Sequence, residues 1–251
     1  MVSTELQGKV ALVTGGSRGI GRATCLALAR EGARVAVNFA NDEQAAAETL
    51  EQIHAIGAEA ITIKADVSSP EAVSDMVSSV QSAFGPVELL VTSAGVATAM
   101  HHSEMQFEHW RRMLAINLDG TYLPVMAVKD AMLAGGYGRI VCIASIAGLR
   151  ARGSMITYST SKAAVIAFAR SCAESFGPSV RVNCVAPGLI DTDMGLSMGA
   201  EAVKRIAEEA FLKRIGRPEE IAETVLFLLS ERSSFTTGQT YVADGGRTTL
   251  P

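Results

Sequence analysis

The sequence predicts a single-domain α/β protein: a doubly wound parallel sheet of about seven strands with helices on both faces. Short apolar runs of strand length alternate with longer stretches of helical period along the whole chain. Strands separated by helices demand right-handed crossovers, hence parallel pairing with helices above and below. No linker-like stretch interrupts residues 1–251, and a hydrophobic content of 48% is ample for one large core.

Taken in order, Val10 to Thr14 reads as the first strand, and after a glycine-rich turn Arg22 to Glu31 reads as a helix stopped by Gly32. Arg34 to Phe39 is the second strand; Asn41 or Asp42 caps a helix running to about Ile56, with Gly57 as terminator. Ala60 to Ala65 is a third strand, Pro70 opens a helix to Phe84, and Val87 to Thr92 is a fourth strand. A long helix from Phe107 to Leu133 is expected to bend around Asn117-Leu-Asp-Gly120, where glycine weakens it. The fifth strand ends at Ser145, and a helix from Tyr158 to Phe176 follows. A strand from Val180 to Val185, a helix from Pro218 to Leu229 and a short strand from Thr240 to Val242 complete the domain.

Thr14-Gly15-Gly-Ser17-Arg18-Gly19-Ile20-Gly21 joins the first strand to the first helix. Bare backbone there lets a pyrophosphate approach the helix N–H groups and the positive end of the dipole, so a dinucleotide site is expected. A tight structural turn is the plainer alternative. Gly15-Gly-Ser17-Arg-Gly19 also matches a hydrolase nucleophile elbow, but the chain before it is too short for the required strands and no histidine follows His109. A phosphate-binding P-loop fails because Gly21 is followed by Arg22 and Ala23. An acidic residue at the end of the second strand would bind a ribose 2′-hydroxyl, whereas this chain has Asn38 and Phe39. With Arg18 able to fork onto a 2′-phosphate, NADP(H) is expected over NAD(H). Asp42 reads as a helix cap, and a swing to the ribose would reverse the preference.

Ser145 and the run Tyr158-Ser-Thr-Ser-Lys162 carry the proton chemistry. Residues four apart share a helix face, so Lys162 stands beside Tyr158 and is expected to draw the phenol down from its ordinary pKa of about 10. Ser145, beyond the carboxyl end of a buried strand, is placed to hold a carbonyl oxygen.

Composition removes several classes. A net charge of −4 with scattered Lys and Arg gives no nucleic-acid footprint. Met1 to Lys9 lacks an apolar signal core and the longest apolar runs are too short for a membrane span, so a soluble cytoplasmic protein is expected. Cys25, Cys142, Cys172 and Cys184 lie in apolar segments and read as reduced core residues. His54, His101, His102 and His109 lack metal-ligand spacing, so no metal is expected.

Thr14-Gly-x-x-x-Gly19-x-Gly21, Asp66-Val67, Ser93-Ala94-Gly95, Asn117, Ser145, Tyr158-x-x-x-Lys162 and Pro187-Gly188 occur in the order found in short-chain dehydrogenases/reductases, so the chain resembles that family over nearly its whole length. The resemblance is strongest to the 3-oxoacyl-[acyl-carrier-protein] reductase branch. It implies Tyr158 as acid in reduction and base in oxidation, Ser145 orienting the carbonyl, and Lys162 also binding the nicotinamide ribose. It further implies Asn117 holding a relay water, Asp66 beside Val67 meeting adenine, Ala94 and Gly95 lining the cofactor, and Ile190 with Thr192, after Pro187-Gly188, at the carboxamide. Plainer readings stand beside these: Asp66 as a helix cap, Asn117 as a helix-bending residue, Thr192 as loop surface. Where the family commonly carries Asn-Asn-Ala-Gly, this chain has Thr92-Ser93-Ala94-Gly95.

Substrate is expected between loops near 96–105, 146–155 and 191–211, which are mostly apolar, with Met194, Leu196 and Met198 as a flexible lid. Small or medium apolar ketones, 3-oxo esters or thioesters are the expected substrates. By resemblance, Asp244-Gly245-Gly246 lies near a tetramer contact. Carrier-protein reductases of this branch present basic residues before the fifth and sixth strands, where this chain has Gly136 and Pro178, so carrier recognition is expected to be weak unless Lys129, Arg139 or Arg181 compensates. The alternatives are an NAD(H)-dependent alcohol or sugar dehydrogenase and a catalytically silent dinucleotide-binding module.

Overall fold

Val10–Thr14 (β1) is buried along its full length, a pattern that only a strand covered on both faces can satisfy. In the computed structural model, which describes residues 5–248, it lies inside a seven-stranded sheet. Residues 1–4, part of the stretch read as lacking a signal core, and residues 249–251 lie outside the described residues.

The remaining strands are Arg34–Phe39 (β2), Ala60–Lys64 (β3), Leu89–Thr92 (β4), Gly138–Ile143 (β5), Val180–Pro187 (β6) and Thr240–Ala243 (β7), in the order β3-β2-β1-β4-β5-β6-β7. Every pairing is parallel. The helices are Gly19–Arg30 (α1), Glu43–Ala55 (α2), Pro70–Phe84 (α3), Phe107–Leu114 (α4), Gly120–Ala134 (α5), Ile156–Phe176 (α6), Asp193–Leu196 (α7), Ala200–Glu209 (α8) and Pro218–Leu229 (α9).

Alternation along the strands builds two cores. Val10 and Leu12 face one layer with Met76, Val125 and Val165 from α3, α5 and α6. Ala11 and Val13 face the other with Leu28, Ile53 and Val225 from α1, α2 and α9. The connections reverse direction between β1 and β4, whose ends Thr14 and Thr92 are paired in register. A crevice opens beyond the carboxyl ends of strands at such a switch point.

The expected bend near Asn117 is real and has a specific form: Ala115–Asp119 is π-helical, inserted between α4 and α5. Several boundaries move by two or three residues: β4 begins at Leu89, α6 at Ile156, and β6 runs on to Pro187. Helix α1 begins at Gly19 rather than Arg22, because the glycine turn itself folds into the first helical turn. The segment 191–211, expected as loop, contains α7 and α8; α8 buries only Ile206, too little apolar surface for the period to stand out. Its base is clamped where Asp191 N–H donates to Gly216 O at 2.8 Å and Gly216 N–H to Leu189 O at 3.0 Å.

Candidate active site

The glycine turn is held from below. Gly15 has φ +63°, and a side chain on Gly21 would put its Cβ 2.1 Å from Gly15 O, so only bare backbone fits. Buried Asn38 accepts from Gly15 N–H at 3.3 Å and donates to Ala65 O at 3.0 Å. It braces the turn against β3, with both ends of its amide on backbone. Ser17 is buried, its carbonyl accepting from Arg22 Nε at 2.9 Å and from Thr49 at 3.1 Å.

Helix α1 carries no side-chain cap and no acid in its first turn, whereas α2 and α3 are capped by Asp42 and Ser69 and open with Glu43 and Glu71. The first N–H groups at Gly19, Ile20 and Gly21 are therefore left to an external anion, and the turn fits a pyrophosphate. Beside it opens a groove of about 550 Å³, lined by Arg18, Gly19, Asp42, Thr192 and Asp193 among others. Its lining includes none of Ser145, Tyr158 and Lys162, so it is separate from the candidate proton-transfer residues. Asp66 closes its own turn, Oδ1 accepting from Ser68 N–H and Oγ–H at 2.9 and 2.7 Å. Val67 is buried behind it.

Beyond β4 the missing asparagine support is supplied by Thr14, whose hydroxyl accepts from Ser93 N–H at 3.2 Å and Ala94 N–H at 3.3 Å. Asn117, buried in the π turn, pairs both ways with Val96: Oδ1 accepts from its N–H at 2.8 Å and Nδ2 donates to its carbonyl at 3.0 Å. Nδ2 also donates to Ser161 Oγ at 3.1 Å, and Ser161 in turn donates to Tyr158 O at 2.7 Å. Asn117 thus ties the strand end at Gly95 to the helix that bears Tyr158. Ser161 was not singled out from sequence; its place three residues after Tyr158, on the same helix face, is the signal that marks it.

Ser145 Oγ accepts from Ala147 N–H at 3.1 Å, and its own hydrogen serves the Tyr158 side. Burial pushes the Tyr158 phenol above its ordinary pKa, and the Ser145 hydroxyl draws it back only in part. The expected depression by Lys162 is not what this geometry gives. Lys162 Nζ donates to Ile143 O at 2.8 Å and lies 5.9 Å from the Tyr158 ring centre. Burial lowers the Lys162 pKa to about 8. Its ammonium borders Gly95, where an added Cβ would stand 3.6 Å from Nζ and 3.3 Å from Asn117 Oδ1.

The outer wall is made of backbone as well. Gly188 N–H donates to Ala243 O at 3.0 Å after Pro187 ends β6, Ile190 is buried, and Thr192 caps α7 by accepting from Gly195 N–H at 3.1 Å. The plainer reading of Thr192 as loop surface is replaced by a capping role. On the opposite edge, Arg139 and Arg181 are 8% and 7% exposed. Arg139 binds Glu231 at 2.7 Å, Arg181 binds Ser230 O at 2.7 Å, and Lys129 pairs with Asp130, so none of the three stands free for a partner. All four cysteines are buried and unpaired, and among the described residues there is no metal-competent cluster and no helix long and apolar enough to cross a membrane.

A family model described as Enoyl-(Acyl carrier protein) reductase matches residues 15–248. The 3-oxoacyl-[acyl-carrier-protein] reductase of Synechocystis sp. is 39% identical over 245 residues, covering 97% of this chain and 98% of that protein. The chain belongs to the short-chain dehydrogenase/reductase family. Acetoacetyl-CoA reductase of Rhizobium meliloti is 38% identical, covering 95% of this chain and 98% of that protein. A solved short-chain dehydrogenase/reductase from Serratia marcescens superposes with a TM-score of 0.92 at 34% identity, covering 98% and 100% of the two chains. As a short-chain oxidoreductase acting between keto and hydroxyl groups, this protein takes a nicotinamide cofactor.

Proposed function

We propose that this enzyme reduces small or medium apolar 3-oxo esters, thioesters or ketones with NADP(H), and that Tyr158 delivers the proton. The observation that carries the reading is the Ser145–Tyr158–Lys162 constellation on elements wired to one another through Asn117 and Ser161. Bound nicotinamide supplies the hydride. Ser145 Oγ–H holds the carbonyl oxygen, and the Tyr158 hydroxyl gives that oxygen its proton as negative charge develops. A phenol raised by burial stays protonated through neutral pH, the form an acid needs. Lys162, cationic below about pH 8 and bonded to Ile143 O, stands beside Gly95 to meet the ribose. The 3-oxoacyl and acetoacetyl relatives support the substrate class. A homotetramer, in keeping with the resemblance, completes the proposal.

NADP(H) preference rests on Arg18. The groove beside it also carries Asp42, Glu48, Asp191, Asp193 and Glu219, and Arg18 leans 4.0 Å from Asp193. That acidic rim is the observation favouring the second reading, an NAD(H)-dependent alcohol or sugar dehydrogenase. Comparing kcat/KM for NADPH and NADH across a ketone panel decides: a preference for NADPH that Arg18→Ala erases is expected, and equal values or an NADH preference refutes it. Carrier-bound substrate is expected to react no better than a short pantetheine thioester, because Arg139 and Arg181 are buried under other duties. A carrier advantage of tenfold or more, about 1.4 kcal/mol, that fades with salt would restore carrier docking.

A further inference from the structure

Tyr158 stands in the first turn of α6, and that helix begins at Met155 with no side-chain cap. Helix ends fray unless something holds them. Ser161, fully buried, holds this one from outside: its hydroxyl accepts from Asn117 Nδ2 at 3.1 Å and donates to Tyr158 O at 2.7 Å. Asn117 grips Val96 at its N–H and its carbonyl, at 2.8 and 3.0 Å. A chain of hydrogen bonds thus runs from the segment after β4, through the π turn, to the peptide of Tyr158. Lys162 also ties α6 to Ile143 O, but through a long side chain, whereas the short serine acts directly on the Tyr158 carbonyl.

The neighbouring hydroxyls do something else. Thr160 Oγ1 donates to Ile156 O at 2.9 Å, a bond within its own helix, and Ser159 Oγ is buried without a partner. Of the three hydroxyls between Tyr158 and Lys162, only that of Ser161 reaches another element among the described residues. It is not needed to satisfy buried groups. Asn117 Nδ2 has two hydrogens and three acceptors within reach: Ser161 Oγ, Val96 O and Met113 Sδ, the last at 3.2 Å. Without the serine hydroxyl, both hydrogens still find acceptors, and the Tyr158 carbonyl keeps the N–H that an α-helix supplies four residues on.

We infer that Ser161 is a positioning residue for proton transfer, fixing Tyr158 relative to Ser145 by tying the first turn of α6 to the segment after β4. The inference rests on the proposed reductase activity and deepens it. Ser145 is carried by the end of β5 and Tyr158 by α6, so both hydroxyls meet one carbonyl oxygen only if these elements keep their relative place.

The test compares Ser161→Ala with Ser159→Ala, which removes a hydroxyl nearer to Tyr158 in sequence but without a partner. In Ser161→Ala, kcat for ketone reduction should fall about tenfold while KM for the ketone and Kd for NADPH stay within about twofold. Its solvent deuterium isotope effect on kcat should rise, because proton delivery becomes the slower step. Ser159→Ala should leave all of these unchanged. Unchanged kcat in Ser161→Ala, an equal loss in Ser159→Ala, or a loss without a larger isotope effect overturns the inference, while turnover that Tyr158→Phe abolishes still upholds the reductase reading. Should no ketone be reduced, NMR of protein with ring-¹³C tyrosine still reads the tie. The Tyr158 resonance, identified by its loss in Tyr158→Phe, should shift or broaden in Ser161→Ala and stay in place in Ser159→Ala; the same Tyr158 resonance in both variants overturns the inference.

Discussion

The floor of the cleft and its lid are built on opposite terms. On the floor, Asn117, Ser161 and Lys162 are buried and every polar atom that positions the chemistry is spent on a named partner: Val96, Tyr158 and Ile143. The lid is held at its base by Asp191 and Gly216 and then exposes Met194, Leu196, Met198, Phe211 and Leu212 at 42–70%. Hydride and proton transfer need atoms fixed within fractions of an ångström, which strand ends and a long helix provide. The segment after β6, by contrast, leaves its methionines and large apolar side chains in solvent, a surface that can adapt.

The sharpest way to break this contrast is at the floor. Tyr158→Phe keeps the ring and removes only the transferable proton, so turnover should fall by ~10²–10⁴ while cofactor affinity stays within a few-fold. Turnover at the unmutated level, measured with saturating NADPH, would remove Tyr158 from the mechanism.

Lys162→Met comes next, because it separates function from stability. A buried lysine whose pKa falls from 10.5 to about 8 disfavours the folded state below pH 8, by on the order of 3 kcal/mol before its hydrogen bond to Ile143 O offsets part of this. Between about pH 8 and 10.5 the unfolded chain holds more protons at this site than the folded one, so the unmutated protein gains stability relative to the variant as pH rises through that window. Expected are lost turnover, weakened cofactor binding, and a difference in denaturant midpoint that shifts toward the unmutated protein from pH 8 upward. A pH-independent difference would show that the charge is not desolvated.

The smallest effect belongs to the lid. Met198→Ala should raise KM a few-fold for longer apolar 3-oxo esters, leave kcat for the shortest one unchanged and leave Tm within about 2 °C. A fall in kcat for every chain length would mean that the lid belongs to the wired floor.

Much of the floor was legible from residue types at fixed spacing. Tyr158 and Lys162 share a face because an α-helix repeats every ~3.6 residues, and the glycine turn marks itself because bulkier residues cannot adopt its backbone. The bend at Asn117 was legible too, but whether it was a kink or a π turn, and what its amide would hold, was not. Asn38 stands where a ribose ligand is expected, yet its amide points at Gly15 and Ala65, a choice made by the neighbouring β3 strand. Thr192 resolved into a helix cap and Asp66 into the brace of its own turn, Ser69 taking the cap of α3 instead, because the nearest unpaired backbone N–H groups were local.

By itself, then, the sequence determined the alternation of strands and helices, the parallel sheet, the glycine turn after β1 and the sharing of one helix face by Tyr158 and Lys162, since each follows from local periodicity or backbone sterics. Only the tertiary structure decided that Lys162 reaches Ile143 O instead of the phenol, and that Arg139 and Arg181 are buried. Those outcomes depend on which desolvated groups compete for the same partners, and such competition exists only once the chain has brought remote residues into contact.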